Sequence, residues 1–170
     1  MMTKRQVLFS GAAFAGLAAL GARFGIGGAR SEDSAETFEV TKTEDEWRAM
    51  LTPDQFNILR KEGTEPPFTS PLLDEHRNGV FACAGCDLPL FESGKKFDSG
   101  TGWPSFWQEI EGNVKFKDDR SFFMLRTEEH CRRCGGHLGH VFDDGPPPTG
   151  KRHCINGVAL VFHPAAAQTG

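Results

Sequence analysis

Two pairs of cysteines limit what this chain can fold into more than any other residues do. Cys83-Ala84-Gly85-Cys86 and Cys131-Arg132-Arg133-Cys134 are CxxC turns with 44 residues between them. Each turn presents two thiolates from one tight bend, and two such bends supply the four sulfurs of a tetrahedral zinc site. Any fold must therefore bring residues 83–86 against residues 131–134. A metal held by four protein ligands has no open position for a substrate, so the ion serves structure, and its binding is coupled to folding. Disulfides among the same cysteines are the competing reading. His130, next to Cys131, could take a ligand position, but the four-cysteine set is complete without it, and it reads as a surface histidine.

The fifth cysteine is the odd one. Cys154 sits in Arg152-His153-Cys154-Ile155-Asn156, between a cation, an imidazole and an amide. The thiolate is the reactive form of cysteine and nearby positive charge favours it, so a lone thiol in this setting is a candidate nucleophile.

Length and charge narrow the partners. A chain of 170 residues supports one ordinary domain with a real core. Lys4, Arg5, Arg23 and Arg30 are the only charged residues of the first 30. Beyond them 15 Lys and Arg stand against 23 Asp and Glu, a net charge of −8. So acidic a domain, with its cations scattered, does not suit nucleic acid, whose binding depends on neutralising phosphates.

Residues 1–30 read as an export signal of Tat-like or Sec type. Lys4-Arg5 is a basic start, and Val7 to Ala22 is an uncharged, mostly apolar run of 16 residues, short for a membrane span. The expected address is the bacterial periplasm, with no stable span after processing; an uncleaved anchor is the alternative. Residues 31–40 are polar and small, as in a linker, 41–165 form the domain and 166–170 a tail. Thiolates bound to zinc are withheld from oxidation, so a metal site is compatible with an oxidising compartment.

Within the domain, helical signals come first. Thr43-Glu44-Asp45-Glu46 and Thr52-Pro53-Asp54-Gln55 are capping boxes, and the second helix should stop at Gly63. The helical period then disappears. Strands are expected at Val80–Cys83, Leu88–Phe91, Asn113–Lys117, Ser121–Thr127 and Gly157–His163, the last of them central. Gly145-Pro146-Pro147-Pro148-Thr149-Gly150 suits neither helix nor ladder and reads as an ordered loop delivering the chain to Cys154. The residues alone give an all-β fold with an N-terminal helical pair.

Two further stretches look built for a pocket around Cys154. Gly100-Thr101-Gly102-Trp103-Pro104-Ser105-Phe106-Trp107 sets aromatic rings in a constrained loop. His137-Leu138-Gly139-His140-Val141-Phe142 offers two imidazoles beside a knuckle and 14 residues before Cys154.

Taken with Gly63-Thr64-Glu65-Pro66-Pro67-Phe68 and Phe97-Asp98-Ser99, these motifs make the chain, from about Thr43 to Pro164, resemble the B-type methionine sulfoxide reductases. The resemblance implies two antiparallel sheets around the active site, with structural zinc on the far side. It implies reduction of the R epimer of methionine sulfoxide in proteins and peptides. Matched by motif, Cys154 would be the nucleophile, His137, His140 and Asn156 would surround the sulfoxide oxygen, and Arg152 would favour the thiolate. Trp103 would receive the substrate's methyl group, with Thr101 and Phe106 in the same site. Many relatives carry a resolving cysteine where this chain has Thr101, so an external thiol, such as a thioredoxin-like protein, is the expected reductant. They also commonly have Tyr or Phe where this chain has His153, which reads either as a surface imidazole or as a source of pH dependence. A monomer is expected. The main rival is a non-catalytic zinc module of the same fold that binds a ligand or partner, which would leave Cys154 without a purpose.

Overall fold

The computed structural model describes residues 36–121 and 124–166. The expected signal, residues 31–35 of the expected linker and residues 167–170 of the expected tail lie outside them. Among the described residues no helix is long and apolar enough to cross a membrane.

Both capping boxes form. Thr43 Oγ1 accepts from the Glu46 N–H while the Glu46 carboxylate accepts from the Thr43 N–H, opening α1 (Glu44–Met50). Thr52 and Gln55 do the same for α2 (Pro53–Lys61), where Pro53 sits at a position that has no amide to lose. Trp47 of α1 and Phe56, Ile58 and Leu59 of α2 are buried. The left-handed residue ending α2 is Glu62, at φ 55°, one position before the expected Gly63. A Cβ at Gly63 would lie 2.4 Å from Asn57 Nδ2, the end of an exposed side chain that can swing aside.

The rest is two antiparallel sheets, as the family resemblance implies. One has three strands, β1 (Gly79–Cys83) flanked by β2 (Pro89–Glu92) and β9 (Leu160–Pro164). The other contains β3 (Lys96–Phe97), β4 (Ser105–Phe106), β5 (Val114–Asp119), β6 (Arg126–Cys131), β7 (His137–Phe142) and β8 (Arg152–Ile155), in the order β3-β4-β8-β7-β6-β5. Phe81, Phe91 and Phe106 meet in the core, with Phe91 and Phe106 stacked at 4.4 Å.

Three sequence expectations need correction. Of the strand expected over Ser121–Thr127, residues 122 and 123 lie outside the described residues; among the described ones β6 starts at Arg126 and runs through charged residues to Cys131. Gly157–His163 does not form one central strand. Gly157–Ala159 is a single 3-10 turn, and β9 after it lies at the edge of its sheet. Residues 36–40 lie against the second knuckle: the Val40 N–H donates to the Arg133 carbonyl, and the Phe38 ring packs edge-on to His130. His130 is accordingly buried rather than on the surface, with Nε2 2.9 Å from Glu36 Oε2.

Candidate active site and metal centre

The four knuckle sulfurs converge as the spacing predicts. All lie within 4.8 Å of one another, with Cys83 and Cys134 at 3.7 Å and Cys86 and Cys131 at 3.5 Å. A disulfide would hold its sulfurs at about 2.05 Å, so no pair is bonded. A tetrahedral ion with metal–sulfur bonds of about 2.3 Å spaces its sulfurs by roughly 3.8 Å. The cradle fits a metal ion. Arg60 adds a cation to it, with Nη2 3.4 Å from Cys134 Sγ and Nη1 donating to the Cys134 carbonyl.

Cys154 lies on β8, between Ser105 of β4 and His140 of β7. It faces a cavity of about 130 Å³ lined by Thr64, Trp103, Gly139, His140, Asn156 and Arg126, among others. No knuckle cysteine lines it. Burial pushes the Cys154 thiol up, against the opposing pull of the Arg152 guanidinium, and Thr101 Oγ1 lies 3.8 Å from its sulfur. Arg152 shares the Cys154 face of the strand. Asp144 holds it in a bidentate pair at 2.8 and 2.9 Å, over the Phe142 ring.

The chain crowds closely beneath the nucleophile. A Cβ at Gly139 would lie 2.0 Å from the Cys154 carbonyl oxygen, so only glycine lets β7 and β8 pair here. Gly139→Ala is expected to lower stability by about 1–3 kcal/mol through overpacking. A urea titration of the two forms measures it, and an unchanged midpoint would refute the argument.

Strand alternation sends His153 and Ile155 to the opposite face from Cys154. His153 is buried, with Nδ1 bonded to Glu129 Oε1 and Nε2 3.3 Å from Glu109 Oε2. It is not a surface imidazole. Phe106 is likewise misassigned to the substrate site: it is fully buried among Phe81 and Phe91, on the core side of β4.

Trp103 does line the cavity, and its indole N–H donates to the Glu65 carbonyl at 3.0 Å. A larger hollow of about 740 Å³ lies along Trp103, Gly102 and the exposed Phe68. Asn156 lines the cavity too, but its amide also ties the site together. Oδ1 accepts from the Glu65 N–H at 3.0 Å, and Nδ2 donates to the Leu138 carbonyl at 2.9 Å.

The two histidines differ. His140 lines the Cys154 cavity and pairs through Nε2 with Asp119 Oδ2 at 2.8 Å. Burial lowers its pKa despite Asp119, so the imidazole is neutral near pH 7. His137 lines an adjoining hollow of about 330 Å³, its ring 5.6 Å from that of His140, with Nδ1 2.8 Å from Glu128 Oε1. Burial raises the Glu128 pKa, but bonds from His137 and Lys117 outweigh it and keep the carboxylate charged.

Four residues escaped the sequence reading as functional: Glu65, Asp119, Arg126 and Glu128. The Glu65 carboxylate accepts from the Gly157 and Val158 amides, anchoring the turn after Asn156, although burial raises its pKa. Arg126 pairs with Asp119 at 2.6 Å and lines both hollows. Glu65 lies inside a quoted motif. The others become visible only through strand register, which sets Glu128 opposite His140 and Arg126 opposite Asp119.

Comparison with known proteins agrees with this geometry. The model of the SelR domain matches residues 51–164. A peptide methionine sulfoxide reductase MsrB from Thiobacillus denitrificans is 55% identical over 124 residues, covering 72% of this chain and 94% of that protein. One from Methanosarcina barkeri is 55% identical over 124 residues, covering 72% and 87%. Another from Agrobacterium fabrum is 53% identical over 127 residues, covering 74% and 94%.

Proposed function

The chain belongs to the B-type methionine sulfoxide reductase family, and on that premise we propose that it reduces the R epimer of methionine sulfoxide in proteins and peptides with Cys154 as nucleophile. The observation that carries this reading is the position of Cys154, facing a small cavity with an indole on its wall and an imidazole opposite it.

A sulfoxide is a poor electrophile until its oxygen gains a proton, so a soft nucleophile must act together with proton donors. The sulfur of Cys154 attacks the substrate sulfur, and the sulfoxide oxygen takes up the proton the thiol gives up. The sulfur–oxygen bond of the substrate breaks as the oxygen passes to Cys154. Methionine leaves, and Cys154 remains as a sulfenic acid, oxidised by the two electrons that methionine has gained. His140 and, behind it, His137 are the proton-handling groups on this side, each oriented by its carboxylate. Trp103 gives the methyl group one fixed place on a chiral sulfur, the physical basis for selecting one epimer.

The sulfenic acid is then reduced from outside. One thiol condenses with it, releasing water and forming a mixed disulfide, and a second frees Cys154. Thr101 stands beside Cys154 where a resolving cysteine would, which favours a thioredoxin-like protein or a small thiol as donor. Zinc is the metal the four thiolates suit best, and it would supply a cross-link and no chemical step.

Turnover of the R and S epimers of a methionine sulfoxide peptide, with dithiothreitol as reductant, tests the proposal. Only the R epimer is expected to react. No reaction of either epimer with metal-loaded protein would favour the binding module instead.

A further inference from the structure

Behind Thr101 a chain of hydroxyls leads into the sheet. Thr101 Oγ1 lies 2.8 Å from Ser99 Oγ, and Ser99 Oγ lies 2.7 Å from Ser105 Oγ. Ser105 Oγ donates to the Trp103 carbonyl at 3.1 Å. Each hydroxyl has one proton to give, and a carbonyl only accepts. With the Ser105 proton on the Trp103 carbonyl, Ser105 accepts from Ser99 and Ser99 accepts from Thr101, one of the two directions these hydroxyl pairs allow. The second lone pair of Ser99 faces the Thr101 N–H at 3.4 Å. Ser105 is fully buried, so solvent does not reset that end of the chain. In that direction every proton points away from sulfur, and Thr101 turns a lone pair toward Cys154.

We propose that Ser99 and Ser105 are positioning residues that fix the polarity of the Thr101 hydroxyl, so that it accepts from the Cys154 thiol instead of donating to the thiolate. The inference rests on Cys154 as the nucleophile. The same polarity suits the sulfenic acid, whose hydroxyl also donates to Thr101. No second thiol lines the cavity, so that acid must wait for a donor from outside, and a fixed acceptor holds it meanwhile. The charged and titratable groups around Cys154 are Arg152 on its own strand, His140 on β7, and Arg126 and Glu129 on β6. None of them is altered by changing Ser99.

The test is the pH dependence of Cys154 alkylation by iodoacetamide, in metal-loaded full-length protein, with the modified peptide identified by mass spectrometry. Ser99→Ala removes the acceptor that holds the Thr101 proton and frees that hydroxyl to donate to the thiolate. A hydrogen bond to a charged atom is stronger than one between neutral groups, so the midpoint should fall and alkylation below it should quicken about fivefold. In a Thr101→Val background the same Ser99→Ala change should have no effect, because the hydroxyl that transmits it is gone. An unchanged or raised midpoint in Ser99→Ala overturns the proposal. So does an equal fall in the Thr101→Val background, which would assign the effect to packing. Alkylation needs no turnover, so this result and the epimer assay fail independently.

Discussion

Cys154→Ser is expected to abolish reduction of methionine-R-sulfoxide, by about a thousandfold or more, while leaving the fold and the bound metal in place. The size follows from the role: losing a covalent nucleophile removes the pathway itself and not merely an interaction along it. A serine hydroxyl fits the space but ionises far less readily and is a poor nucleophile toward sulfur. The fold should survive because Cys154 is neither a knuckle residue nor one of the core side chains, which at this end of β8 is represented by Ile155. Unaltered protein given substrate without reductant should gain one oxygen at Cys154 and form no internal disulfide. Turnover retained in Cys154→Ser would end the proposed mechanism. A disulfide to a knuckle cysteine in the oxidised protein would overturn the external-thiol route alone.

Much of this site was legible because its chemistry lies in short local motifs. The knuckles, the lone Cys154 and the constrained loop around Trp103 are each recognisable from residue type and spacing, and the fold brings them where those spacings suggest. The capping boxes were equally local, each closed within four residues. What escaped was information held between strands. In β6, Arg126 to Cys131 reads Arg-Thr-Glu-Glu-His-Cys, with no alternation of apolar and polar residues. The reason is that both faces are occupied by polar pairs: Glu128 serves His137, and Glu129 serves His153 on the side away from Cys154. A strand whose buried residues are ion-paired gives no periodic hydrophobic signal. Phe106 failed for the converse reason. It belongs to an aromatic motif, but the two-residue period of β4 turns Ser105 toward the Thr101 side and Phe106 into the core.

The metal centre is where the largest loss of stability is expected. Cys83 ends β1 in the three-stranded sheet, and Cys131 ends β6 in the six-stranded one, so the four sulfurs tie the two sheets together. Leu59 and Trp47 lie near Gly85, and Arg60 binds Cys134 while stacking on Trp47, so both helices depend on the same cradle. Metal bound by thiolates contributes on the order of 10 kcal/mol to folding in small domains, as much as the whole stability of a typical domain. Cys131→Ala, or removal of the metal with a strong chelator, should therefore abolish the cooperative thermal transition. Activity and near-ultraviolet circular dichroism should fall together, because the cavity at Cys154 is lost with the fold and no catalytic step uses the metal. Metal content by elemental analysis, followed beside the melting curve, decides the matter. A metal-free protein that still melts cooperatively at the original temperature would show that packing alone holds the sheets. One that keeps its fold but loses turnover would give the ion a role at the active site that the separation of the two centres argues against.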